Sequence, residues 1–64
     1  MNAEDLLWRI LDRLQESKEM FAASLDGLDP EKDKELVDAI LEVEQLTQTQ
    51  INICRRVQRR LRSS

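Results

Sequence analysis

Asp26-Gly27-Leu28-Asp29-Pro30 stops one amphipathic helix and starts another within five residues. A glycine just past a periodic apolar segment can take the left-handed conformation that caps a helix C-terminus, and Leu28 after it is placed to fold back on the last turn. Asp29 can accept from the free N–H groups of the next helix. Pro30 suits that helix's first turn, where its missing N–H is not needed. The pattern predicts an all-α, antiparallel, coiled-coil-like two-helix hairpin in one domain spanning residues 1–64, with a first helix over about 3–25, a turn at 26–29 and a second helix over about 30–62.

A chain of 64 residues cannot cover such a hairpin. Domains of this size bury only about 60% of their unfolded surface. Two antiparallel helices also bury one stripe each and leave their flanks wet, so a partner protein or a second copy is expected to complete a bundle. Charged residues make up 36% of the chain, aromatics 3%, and Gly and Pro occur once each, which fits long helices and argues against sheet.

One Cys and no His remove most catalytic and metal chemistry. A zinc site needs three or four Cys, His or carboxylate ligands, and a nucleophilic Cys needs a base. The many carboxylates lie at solvated positions with no Gly-rich loop or nucleophile–base pair to organise them. No enzyme activity, cofactor, metal or small-molecule substrate is expected. Cys54 alone cannot form an intrachain disulfide, and it reads as a small buried apolar residue in a reducing compartment. The acidic start, Met1-Asn2-Ala3-Glu4-Asp5, is the reverse of a secretory signal, and no apolar run approaches the ~18 residues of a membrane span. The expected location is the cytoplasm.

In the first helix Asn2 is a candidate N-cap, with Glu4 and Asp5 set against the positive end of the helix dipole. Leu7, Ile10, Leu11, Leu14, Phe21, Ala22 and Leu25 recur at steps of three and four and mark one buried face. Ser17 and Lys18 interrupt it. Lys18 can lay its methylenes along the seam and keep its ammonium wet, beside Glu44 across the hairpin. Trp8 and Met20 leave the stripe on opposite flanks, and both are candidate interface anchors.

The second helix carries a seam of Leu36, Ile40, Val43, Thr47, Gln50, Cys54, Val57 and Leu61. Thr47 and Gln50 place polar groups in it that can fix register. Pairing outward from Gly27 sets Phe21 near Leu36, Leu14 near Val43 and Leu7 near Gln50, so residues beyond about Cys54 form an overhang. Leu41, Leu46 and Ile53 make a second apolar line, and a helix apolar on two faces usually meets two neighbours.

The overhang bears Arg55, Arg56, Arg59, Arg60 and Arg62 around Val57 and Leu61, whereas residues 1–50 hold all 13 acids and five bases. Three readings stay open. The arginines can complement the helix dipole, dock on an acidic and apolar surface such as the acidic half of a second copy, or neutralise nucleic-acid phosphates. A net charge of −3 argues against a dedicated nucleic-acid binder.

The size of the chain, its short first helix ending at an Asp-Pro turn, and the run Ala39-Ile40-Leu41-Glu42-Val43-Glu44-Gln45 followed by Ile51-Asn52-Ile53 resemble the small E-type components of type III secretion systems. Those are helical hairpins that act with a tetratricopeptide-like partner as co-chaperones for the needle subunit. The resemblance implies a hairpin that keeps a polymerisation-prone helical subunit soluble in the cytoplasm by covering its apolar face. The Arg-rich end lies outside the resemblance. It leaves a second reading, a homodimeric helical bundle that binds RNA or DNA through its C-terminal helix, with affinity falling steeply as salt rises.

Overall fold

The computed structural model describes residues 2–63, and Met1 and Ser64 lie outside the described residues. Helix α1 spans Ala3–Asp26 and helix α2 spans Lys34–Ser63. They pack along each other as an all-α hairpin measuring 50 × 17 × 12 Å.

Local chemistry sets the ends of both helices. Asn2 is extended (φ −90°, ψ 172°), and its Oδ1 accepts from the Asp5 N–H at 2.8 Å, with Glu4 and Asp5 in the first turn as expected. At the other end of α1 the structure differs from the glycine rule. Gly27 has φ −91° and ψ 0°, so it is not left-handed. The helix tightens instead: the Gly27 N–H donates to Ser24 O and the Leu28 N–H to Leu25 O, each at 3.2 Å. Those short-range bonds satisfy terminal carbonyls at dihedrals any residue can adopt. Leu28 is half-buried beyond them and extends the apolar stripe of α1 by one more position.

The connection occupies residues 27–33 rather than 26–29, and regular helix resumes at Lys34 rather than at Pro30. Asp29 Oδ1 accepts from the N–H groups of Glu31 (2.8 Å) and Lys32 (3.3 Å), while Asp33 Oδ2 accepts from the Asp29 N–H at 3.0 Å. This reciprocal arrangement works like a capping box. Backbone bonds from Asp33 N to Asp29 O and from Val37 N to Asp33 O, both 2.8 Å, carry helical bonding through the turn into α2.

The longer connection moves the register. Leu14 lies with Gln50, Ile53 and Cys54 rather than with Val43, and Lys18 reaches Gln48. Leu7 lies with Val57 and Leu61 rather than with Gln50. The expected overhang beyond Cys54 is therefore absent: Val57 and Leu61 share a hollow with Ala3, Leu6, Leu7 and Ile10 at the start of α1. The turn consumes residues that a tight hairpin would have given to α2, so α1 reaches almost to the end of its partner.

The seam also differs from expectation on one edge. The α1 side runs through Leu7, Leu11, Leu14, Lys18, Phe21, Leu25 and Leu28, all buried or half-buried, while Ile10 and Ala22 turn outward. The α2 side runs through Val37, Ile40, Glu44, Thr47, Ile51, Cys54, Gln58 and Leu61. The row Leu36, Val43, Gln50 and Val57, expected inside, is exposed, and the row one residue further on replaces it. The cause lies in α1. Lys18 donates to Gln48 Oε1, Gln48 Nε2 donates to Asn52 Oδ1 at 2.9 Å, and Glu44 lines the same groove as Lys18. A half-buried ammonium needs acceptors at its level. The row containing Glu44 supplies that polar level, whereas the other row would set Val43 there.

The core is small. Among the described residues only Leu11 and Ile51 are fully buried apolar side chains, with Thr47 buried beside them and its hydroxyl donating to Val43 O at 2.9 Å.

Candidate partner-binding surface

Among the described residues ten large apolar side chains are 38–59% exposed, and they are not scattered. Helical periodicity sorts them. On α1, Leu6, Ile10 and Met20 leave the seam on one flank. On α2, Leu36, Val43 and Val57 leave it on one flank, with Leu46 and Ile53 just beyond. In an antiparallel pair these flanks lie on the same side of the hairpin. The contacts agree: Ile10 and Leu14 line a hollow with Gln50, Ile53 and Cys54, and Leu6, Leu7 and Ile10 line the next one with Val57 and Leu61. Eight of the ten exposed apolar residues thus form one face along the molecule.

The opposite face is polar. Lys18 and Glu44 line two hollows there, one with Gln15, Glu19 and Ala22 and the other with Leu41, Gln45 and Gln48. Trp8 leaves α1 on this side, 49% exposed.

The structure therefore divides the residues that the sequence marked as candidates. Met20, Leu46, Ile53 and Val57 share the apolar face, and half-buried Leu61 opens onto its end. Trp8 and Leu41 sit on the polar face, so Leu41 does not continue the line of Leu46 and Ile53: five residues along a helix is a rotation of about 140°. Ile10, Leu36 and Val43, expected in the buried stripes, belong to the exposed face instead, and Leu6, outside the stripe and not among the candidates, joins them there. Cys54 is half-buried at the floor of that face.

The arginines are all exposed and spread round α2. Arg56 and Arg60 follow Leu46 and Ile53 at steps of three and four on the rim of the apolar face, whereas Arg55, Arg59 and Arg62 follow Gln48 and Asn52 on the polar face. Folding gathers charge by end. The turn half, residues 17–50, holds nine acids and three bases, a net of −6. Residues 3–16 and 51–62 meet at the open end with four acids and seven bases, a net of +3. The hairpin is an electric dipole along its long axis.

Among the described residues no group of three or more His, Cys, Asp or Glu side chains is placed to hold a metal ion, and no helix is long and apolar enough to cross a membrane. The fold defines the class, an all-α helical hairpin. No protein family, curated protein or solved structure matches the chain.

Proposed function

We propose that the chain is a non-catalytic interaction module whose working surface is the apolar face built on Leu6, Ile10, Met20, Leu36, Val43, Leu46, Ile53 and Val57. One observation carries this reading: the hairpin packs the less apolar of two available α2 rows inward and leaves Leu36, Val43 and Val57 outside. Burial is the main favourable term in association, and these side chains reach it only against another molecule. The division of the arginines between both faces supports a protein partner over nucleic acid, because phosphate binding favours one continuous basic strip.

The likeness to the E-type secretion components gives the proposal a finer form. In that form the chain is a cytoplasmic co-chaperone that covers the apolar side of a helical needle subunit together with a tetratricopeptide-like chaperone. Coexpression of the chain with such a subunit and chaperone, followed by size exclusion with light scattering, tests it. A soluble ternary complex that is lost in Leu46→Glu is expected; a needle subunit that aggregates equally with and without the chain refutes the co-chaperone form.

A further inference from the structure

We infer that the occupant of the apolar face is a second copy of this chain, laid head to tail so that α2 packs on α2 of its mate in an antiparallel four-helix bundle. The inference rests on the interaction-module reading and names the partner. Three observations carry it.

The first is area. The eight exposed apolar side chains of the face present on the order of 700 Å² between them, close to the ~800 Å² per partner of a standard stable interface. The second is the dipole: the turn end carries −6 and the open end +3. Stacking two copies with like ends together sets acid on acid and arginine on arginine. A dyad perpendicular to the long axis sets each acidic end on the other copy's basic end.

The third is the rim row of α2, which is complementary to its own reverse. Glu35, Glu42, Leu46, Ile53, Arg56 and Arg60 follow one another at helical spacing, all exposed, with acids at one end, apolar residues in the middle and bases at the other. A dyad between Leu46 and Thr49 brings Glu35 of one copy to Arg60 of the other, sets Glu42 beside Ile53 and Arg56, and packs Leu46 at the centre. Reversal sets Glu35 on Arg60, Leu46 against its own copy and Glu42 within one turn of Arg56, whereas a parallel pairing of the row sets acid on acid and base on base.

Sedimentation equilibrium and distance measurement between spin labels test both partner and orientation. The chain is expected to be a dimer. Ile53→Glu should weaken dimerisation about 100-fold or more while the circular dichroism spectrum stays helical. Because a charge in the face can also disturb the hairpin, a charge-swap set runs beside it. Arg56→Glu with Arg60→Glu, or Glu35→Arg with Glu42→Arg, should each weaken the dimer about 3–10-fold, and all four together should restore it. A nitroxide on Lys34→Cys in a Cys54→Ser background should report a separation of ~40 Å, some 27 residues of helical rise between the two labelled levels, whereas like ends together would bring the labels within ~25 Å.

A short label distance overturns the head-to-tail orientation. Failure of the four-residue swap to restore affinity overturns the rim pairing. A chain that stays monomeric at ~100 μM but forms the ternary complex described above overturns the second copy and leaves the interaction reading intact. A tight dimer indifferent to Ile53→Glu overturns the face, and with it both proposals.

Discussion

Ile51 and Val43 offer a direct trial of which α2 row faces α1. Ile51 is 2% exposed, and Ile51→Ala removes three buried carbons at about 0.8 kcal/mol each, roughly 2.4 kcal/mol before any cavity term. The open flanks of a two-helix hairpin let neighbours settle into part of the space, so the total should stay near ~3 kcal/mol, low in the usual range for Ile→Ala. Val43 is 42% exposed in the single hairpin. Val43→Ala removes two carbons little more than half buried, about 0.9 kcal/mol, and the better helix propensity of Ala offsets about half of that. A domain of this size has a total stability of only about 3–10 kcal/mol, so the first variant should be close to unfolding and the second barely changed. Urea unfolding followed by circular dichroism at high dilution reads the difference as a midpoint shift. Raising the concentration supplies a second signature. The Ile51→Ala deficit should stay constant because it belongs to the hairpin, while that of Val43→Ala should grow as the outer face becomes buried between copies. If Val43→Ala costs as much as Ile51→Ala at high dilution, the seam is the other row and the argument for an outward apolar face fails.

Gly27→Ala should leave stability unchanged or raise it by about 0.4–1 kcal/mol, because Gly27 has ordinary dihedrals and an added Cβ meets only Ser24 O at 3.7 Å. A thermal midpoint that drops by several degrees would show that the position needs a left-handed residue after all. Asp29→Ala removes the acceptor for the Glu31 and Lys32 N–H groups and should cost about 1 kcal/mol in chemical denaturation; no measurable loss would mean that water caps this turn equally well. Trp8→Ala should leave the association constant within about twofold, since Trp8 lies on the polar face away from the apolar side chains. A large fall in sedimentation-derived affinity would move the interface to the other side of the hairpin.

What the sequence made legible was local. Asn2 and Asp29 act on groups within a few residues, so both could be read as capping residues from side-chain type and spacing, although regular helix in α2 resumes at Lys34, four residues beyond Pro30. The α1 seam through Leu7, Leu11, Leu14, Phe21 and Leu25 was readable for a related reason, since one apolar stripe on one helix leaves little choice of face, but its edges at Ile10 and Ala22 turn outward. On α2 the apolar arc is wider than one neighbour can use. Ile40, Thr47, Cys54 and Leu61 belong to the seam whichever way the helix turns, but the flanking row could be Leu36, Val43, Gln50 and Val57 or Val37, Glu44, Ile51 and Gln58. Hydrophobicity alone favours the first. The choice rests with Lys18 on the other helix, a pairing 30 residues away that no single-helix pattern contains. The register failed for a similar reason, because it depended on how much chain the Asp29–Asp33 box takes into the turn.

The interruption in the α1 stripe is therefore the origin of the outer face. An apolar residue in place of Lys18 would let α2 present its greasier row inward, and the hairpin would cover more of itself. With Lys18 in the seam, Gln48 and Glu44 must sit at its level, and α2 turns by about 50°, half the step of one residue, to bring them there while Ile40, Thr47, Cys54 and Leu61 stay inside. That rotation carries Leu36, Val43 and Val57 to the surface, next to Leu46 and Ile53, which were outside in either arrangement. It also places the Glu35-to-Arg60 rim along the edge of the new surface. A weaker fold within one chain and a stronger, oriented surface between chains thus follow from the same lysine. Polar seam residues act in this way elsewhere, lowering stability while selecting register and partner. Lys18→Leu should accordingly raise the stability of the isolated hairpin and lower its tendency to associate, two changes of opposite sign that simple loss of packing cannot produce together.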